Sequence, residues 1–409
     1  MMRAMLGVSV NSTTTTTTMK SFASLLCFVT LIVANPVIQN EKQVTFDAQT
    51  ATYPGFDLDL NALRLVEMEG QAPVWMTELD KINAKAQGLK FFDITDTPDL
   101  GFSSQSRLQT KFTFPKPNAT EIVEPILETL STEGPKKNLQ KFSSFRTRYY
   151  RSDTGRQSQE WLFATIQDIT EKYASKSLRQ HIQAETFPHS WGQNSIIVRI
   201  KGSSKTDNGV VVIGAHQDST NIWPFLPAPG ADDDGSGSVT ILEAYRALIA
   251  ADFRPARTVE FHWYSAEEGG LLGSQAVAKD YEKRSVNVLA MSQFDMTAWV
   301  KRGTREEVGI ITDFVDEGVT DFNKALVDLY LDIPFVETKC GYACSDHASW
   351  SKAGYASSFT IESSFENSNK NIHSTNDRID VSEEFSFDHM LEFSKLAVAF
   401  AVELGGSSK

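Results

Sequence analysis

From Ser195 to the carboxyl end the chain alternates between two hydrophobic periods, and this alternation constrains its fold more than any other feature. The runs "SIIVRI" (195–200), "VVVIGA" (210–215), "TVEFHWYS" (258–265), "VNVLAMSQFDM" (286–296) and "SSFTIES" (357–363) are short, apolar and β-branched or aromatic, as buried strands are. Between and after them, "GSVTILEAYRALIAA" (237–251), "GLLGSQAVAKDYEKR" (270–284), "VTDFNKALVDLYLD" (319–332) and "FDHMLEFSKLAVAFAVEL" (387–404) carry apolar residues at helical spacing. Upstream, "ATEIVEPILETLS" (119–131) and "GRQSQEWLFATIQDITEKYASK" (155–176) read as helices too. Strand and helix in turn predict an α/β fold, a mostly parallel twisted sheet with helices on both faces. Asn208-Gly209 lies between the first two runs and predicts that they form a hairpin.

In such a sheet, ligands gather beyond the carboxyl ends of the strands. His216 and Asp218 follow "VVVIGA", Glu267 and Glu268 follow "TVEFHWYSA", Asp295 ends "VLAMSQFD", and His373 lies in the loop after "FTIES". Four strand ends therefore turn acids and imidazoles toward one rim, which a solvated surface does not explain.

The densest acid is in "GAHQDSTNIWPFLPAPGADDDGSGS" (214–238). Asp232 opens an EF-hand register ending at Glu243, but Pro224, Pro227 and Pro229 occupy the place of the entering helix. Gly230, Gly235 and Gly237 instead let the backbone fold tightly enough to bring a carboxylate onto a metal ion. Asp218 is a candidate for the carboxylate that orients His216 from behind.

The formal charge is −13, from 52 acidic against 39 basic residues, so nucleic acid is excluded as a partner by repulsion from its phosphates. At the amino end "MKSFASLLCFVTLIVANPV" reads as a secretory signal: one lysine, an apolar run from Phe22 to Ala34, then small residues. The run is short of the roughly 20 residues a membrane anchor needs. We expect a signal over 19–34, with 1–18 as an upstream extension, and a secreted, extracellular product without a membrane anchor. Cys27 leaves with the signal, and Cys340 and Cys344 remain. Two thiols four apart, with Gly341 between, can close a small ring in an oxidising compartment, or stay free and buried. "NAT" at Asn118 is a glycosylation acceptor.

Between Asn35 and Gln105 there is no histidine or cysteine, and nothing there looks catalytic. Two short helices are expected there, over 61–69 and 77–87, and a boundary between Leu100 and Phe114.

The segments "GAHQDS", "APGADDDGSGS", "SAEEGGLLGS", "QFDMT", "CGYACSDH" and "NIHSTND" stand in this order, and with them the chain resembles the M28 family of zinc aminopeptidases, in particular secreted leucine aminopeptidases of fungi. The similarity covers about the last 300 residues. It implies two zinc ions, one held by His216 and Asp295, the other by Glu268 and His373, with Asp233 bridging. It further implies Glu267 as general base, Tyr342 as a group assisting at the substrate carbonyl, and a disulfide between Cys340 and Cys344. Residues 35–105 resemble the propeptide of such enzymes, leaving 106–409 as the catalytic domain.

The chemistry accounts for these residue types. Peptide hydrolysis needs a nucleophile at neutral pH, a counter-charge for the oxyanion and a proton for the leaving amine, and two zinc ions sharing a water supply the first two. A carboxylate not spent on metal supplies the third, and neighbouring Glu267 and Glu268 divide those tasks. The partners expected are peptides with a free N-terminus, bound by a monomer. Trp223, Phe225, Met296, Phe359, Phe365 and Ile372 flank the motifs; each alone reads as core, and together they are a candidate pocket for a leucine-like side chain. His181, His189, His262 and His389 read as surface or satisfied core residues, and His347 as packing near the cysteines.

Overall fold

The computed structural model describes residues 53–68, 70–108, 112–207 and 209–407. The expected signal and the start of the 35–105 segment lie outside them. In chain order the first described elements are β1 (Leu63–Glu67), β2 (Val74–Thr77), α1 (Glu78–Ala86), β3 (Phe92–Asp93) and α2 (Ser104–Leu108). The three strands make a small antiparallel sheet in the order β2-β1-β3.

Helix α1 begins where expected: the Thr77 side chain accepts from the Asp80 amide, and Asp80 answers the Thr77 amide. The helix expected over 61–69 is instead β1. Its apolar residues mimic a helical stripe, but Arg64 and Val66 alternate inward while Leu63 is 62% exposed. Pairing with a strand on either side outweighs the weak local preference.

Four helices follow: α3 (Thr120–Leu127), α4 (Glu133–Phe142), α5 (Asp153–Tyr173) and α6 (Lys176–Arg179). Next come β4 (Ile182–Phe187), β5 (Ser195–Ile200), β6 (Val210–His216), α7 (Gly235–Ala250), β7 (Thr258–Tyr264), α8 (Leu272–Lys283) and β8 (Val288–Phe294). The chain ends with β9 (Val308–Ile311), α9 (Glu317–Tyr330), β10 (Phe335–Thr338), α10 (His347–Lys352), β11 (Ser357–Ile361) and α11 (Phe387–Gly405). Eight strands form one sheet in the order β10-β9-β11-β8-β6-β7-β5-β4. Its centre is parallel, β11 to β8, β8 to β6 and β6 to β7, while β5 and β4 add an antiparallel edge.

The hairpin expected from Asn208-Gly209 does not form. Strand β7 enters between its arms, pairing Phe261 with Ile213 on one side and Trp263 with Ile196 on the other. A strand apolar on both faces belongs in a sheet's interior, and β7 gains two ladders where a hairpin would leave it one. The short strands β4, β9 and β10 carry too little pattern to have been expected.

Side chains alternate along β6. Val211, Ile213 and Ala215 face a core shared with Leu248 of α7 and Phe393 and Leu396 of α11. Val210 and Val212 face the opposite side, against Val277 and Tyr281 of α8 and Trp350 of α10. Helices thus cover both faces, and the strand ends are left open at one rim. Among the described residues no helix is long and apolar enough to cross a membrane.

The expected boundary between Leu100 and Phe114 marks a change of architecture along the chain, not a gap in packing. Leu100 is buried in the core of Tyr264 and Trp350, and Leu58, Leu60 and Ile82 join that of Tyr149, Tyr150, Trp191 and Leu272.

Candidate metal centre

His216, the last residue of β6, is buried, and its Nε2 lies 3.1 Å from Asp233 Oδ1 and 3.6 Å from Asp295 Oδ1. His373 Nε2 lies 3.0 Å from the other oxygen of Asp233 and 3.1 Å from Glu268 Oε2. Two groups of three residues therefore meet at one shared carboxylate: His216, Asp233 and Asp295, and Asp233, Glu268 and His373. The structure brings together all five side chains that the sequence singled out as ligands.

His216 Nε2 and Glu268 Oε1 are buried without a hydrogen-bond partner, although a carboxylate oxygen lies beside that nitrogen. Contact without bonding geometry is what ligand atoms aimed at a common point produce, and imidazole with carboxylate suits first-row divalent ions. The residues present fit a metal pair.

The neighbouring acids have other tasks. Asp234 caps α7: Oδ1 accepts from the Gly237 amide at 2.9 Å and the Met296 amide at 3.0 Å, and Oδ2 from the His216 amide at 3.0 Å. It ties together the ends of β6 and β8 and the start of α7. Gly237 is required there, because a Cβ would come within 2.3 Å of both Asp234 Oδ1 and the Phe294 carbonyl oxygen. Asp232 accepts from Ser236 Oγ, the Ala298 amide and Asn369 Nδ2. Asp377 accepts the amides of Asp232 and Asp233 at 2.9 and 3.0 Å and so fixes the shared carboxylate from behind. The buried Arg148 donates to the carbonyls of Gln217, Pro229 and Gly230, closing the acidic loop at its base.

Asp218 accepts the Glu267 amide at 3.0 Å and the Glu268 amide at 3.2 Å. The Nδ1 of His216 is closer to the Asp218 carbonyl oxygen, 3.2 Å, than to its carboxylate, 3.5 Å. Its expected orienting role therefore falls mainly to the backbone, while the side chain sets the glutamate turn. Ser345 Oγ donates to Asp295 Oδ2 at 2.6 Å. Ala266, Met296 and His373 are non-glycine residues with φ of +59°, +58° and +54°. Left-handed backbone at and beside these side chains is the unfavourable geometry that functional sites impose.

Burial pushes the Glu267 carboxyl well above the usual range, and Glu268, Asp346 and Asp295 add to the effect against the pull of His216. For His373, burial works downward, but the Glu268 charge and bonds to Asp233 and Glu268 outweigh it and raise the ring to about 9. Burial likewise opposes ionisation of Asp233, and the two histidines overcome it, holding that carboxyl below its usual range.

A cavity of about 260 Å³ opens over these residues. Met296, Phe359, Phe365 and Ile372 line it as expected, with Ile361 and Leu271 in addition. Trp223 and Phe225 do not: Phe225 stacks on Tyr53, its ring centroid 4.3 Å away, because the proline turn carries that aromatic pair outward. Tyr342 also lines the cavity, on a ring closed by the Cys340–Cys344 disulfide, whose Cα atoms are 6.2 Å apart. Asp313 holds the ring by accepting the Cys340 and Gly341 amides.

Two lysines of the amino-terminal segment enter the cavity, which sequence reasoning missed. Lys85 Nζ contacts Glu268 Oε2 and donates to the Glu268 carbonyl at 2.9 Å; Lys90 Nζ stands 4.2 Å from the centre of the Tyr342 ring. A lysine on a polar helix gives no signal of its partner. Three other histidines are satisfied: His262 bonds Glu260 and Tyr264, His389 bonds Glu306 and the Glu362 carbonyl, and His189 bonds Ser195. His181 is exposed, and His347 stacks on Phe359. Asn118 is exposed just ahead of α3.

Residues 195–398 match peptidase family M28, a span from β5 into α11 that includes every residue of both groups. A leucine aminopeptidase 1 from Colletotrichum graminicola is 51% identical over 352 residues, 83% of this chain and 85% of that protein. The chain belongs to peptidase family M28. A second leucine aminopeptidase 1, from Phaeosphaeria nodorum, is 47% identical over 398 residues, covering 94% of this chain and 98% of its own length. Among solved structures, the LapA aminopeptidase of Legionella pneumophila superposes with a TM-score of 0.73 at 26% identity, over 85% of this chain and all of that one. As an M28 member with such relatives, the protein is a metallo-aminopeptidase.

Proposed function

We propose that this M28 enzyme is a secreted two-zinc aminopeptidase that removes apolar, leucine-like residues from peptides with a free N-terminus. One observation carries the reading: Asp233 offers one oxygen toward His216 and the other toward His373, while Glu267 stands beside them outside both groups. His216 and Asp295 would hold one ion, Glu268 and His373 the other, and Asp233 both. When bound, a zinc pair lowers the pKa of water and polarises the scissile carbonyl.

The chain's own residues do the rest. Glu267, oriented by the Asp218 carboxylate through its backbone amide, takes the proton of the attacking water and delivers it to the leaving nitrogen. Burial holds its pKa well above the usual carboxylate range, which makes it a stronger proton acceptor than an exposed glutamate. The Tyr342 phenol donates toward the carbonyl oxygen of the substrate. Met296, Phe359, Phe365 and Ile372 exclude water around the first side chain.

The Cys340–Cys344 disulfide supports an oxidising destination. The segment over 35–105 is read as a propeptide that covers the site until removed, since Lys85, Leu89, Lys90 and Phe91 line the cavity. We expect the trimmed protein to release p-nitroaniline from leucine p-nitroanilide, to lose that activity to a chelator and regain it with zinc, and to leave N-blocked peptides intact. Indifference to chelation defeats the mechanism; preference for blocked peptides makes the enzyme a carboxypeptidase-like relative.

A further inference from the structure

Helix α1 carries Lys81 and Lys85 four residues apart, so both ammonium groups leave the same face. Lys81 is buried, pairs with Asp93 at 2.8 Å and donates to the Gly269 carbonyl at 3.1 Å. It anchors the helix on the turn that carries Glu267 and Glu268. Lys85, one turn on, donates to the Glu268 carbonyl and rests against Glu268 Oε2. That oxygen is the one that faces His373 Nε2 at 3.1 Å.

We propose that the Lys85 ammonium is the resident cation of the Asp233, Glu268 and His373 group in the full-length chain, so that seating of α1 and metal binding at that group oppose one another. The inference rests on the two-ion reading above. A carboxylate oxygen in contact with an ammonium is electrostatically satisfied, and a dication sharing it meets a like charge at contact distance in a poorly screened site. Among the described residues, the ion pairs of the other group, His216, Asp233 and Asp295, involve no lysine of α1. The asymmetry predicts a full-length chain that holds one ion firmly and the second weakly. Linkage makes the effect reciprocal: zinc entering the second group must loosen α1 by the same factor.

The experiment uses the full-length protein, its Lys85→Met variant and a Lys90→Met control that removes a nearby cation without touching Glu268. Zinc is titrated into each by calorimetry, with stoichiometry checked by elemental analysis. We expect two comparable sites in K85M, and in the parent and K90M one such site plus a second weakened by about 5- to 150-fold, the usual range of site coupling. Hydrogen exchange along α1, measured on the parent with and without saturating zinc, needs no variant and should accelerate with zinc. Equal affinities for both ions in the parent and K85M, or exchange unaltered by zinc, overturn the proposal. A K85M chain that binds a single ion overturns the two-ion reading itself, and the proposal with it.

Discussion

Asp218 and Glu267 show how finely one side chain decides this chemistry. Glu267 is proposed to move a proton and to bind no metal, so Glu267→Gln keeps size and polarity while losing the proton acceptor. We expect kcat to fall by about 10²- to 10⁴-fold with KM and zinc stoichiometry little changed. Loss of zinc in that variant would reassign Glu267 as a ligand. Asp218 acts through others, accepting the amides of both glutamates. Asp218→Asn replaces one acceptor oxygen by a donor that faces an N–H, and should lower kcat/KM by about 10- to 100-fold with zinc retained. An unchanged kcat/KM would remove Asp218 from the positioning machinery. At this scale the sequence was informative where chemistry demands a residue type at a strand end, as with His216, Glu268, Asp295 and His373, while the choice of Asp233 among three neighbouring aspartates came from the family resemblance. It was silent where one partner is ordinary: nothing in "LDKINAKAQ" marks Lys85, and nothing in "HSTND" says that Asp377 holds the Asp233 amide.

Elements were legible in proportion to their length and pattern. The long helices α5, α7, α9 and α11 show their apolar stripes openly, while β1 imitated a helix and Asn208-Gly209 suggested a hairpin, because which strands become neighbours depends on long-range burial. Helix α10 is short, and its first residue, His347, carries a pH dependence that follows from its place. His347 is fully buried, and burial depresses its pKa to about 3. The folded chain therefore keeps this ring neutral above about pH 3, while the unfolded chain protonates it below the ordinary value near 6.5. Between these limits the unfolded state binds more protons, so this residue's contribution to stability falls by about 1.4 kcal/mol per pH unit as pH drops below 6.5, and is constant above it. His347→Gln abolishes the titration. Denaturant unfolding of parent and variant should give a stability difference that is flat from pH 7 to 8 and shifts toward the variant by about 2 kcal/mol at pH 5. A pH-independent difference would mean that His347 titrates normally in the fold.

At the scale of the whole molecule, the amino-terminal segment is joined to the rest by far more than the connection around residues 106–114. Asp93 exchanges backbone and side-chain contacts with Gly270 and Gln275, Thr97 donates to Gln275, and Glu282 accepts from Gly101, Ser103 and Arg107. Lys352 pairs with Glu67 and Lys279 with Asp99, while Leu58, Leu60 and Ile82 lie in a core shared with Tyr149, Tyr150 and Leu272. Exposed pairs such as Lys279 with Asp99 contribute little, about 0–1 kcal/mol each. The buried apolar cluster and the anchoring of Lys81 at Gly269 weigh more, and neither depends on an intact peptide bond at the connection. Cutting the chain between 106 and 114 should therefore leave the two pieces associated and the cavity still covered. On a sizing column the nicked protein is expected to elute as the uncut one does, and leucine p-nitroanilide hydrolysis should appear only once the segment is digested or stripped by mild denaturant. Full activity on nicking, with both pieces still co-eluting, would show that the covering segment admits substrate and would end its reading as an inhibitor; separation of the pieces on nicking would show that the connection, not the interface, holds the segment in place.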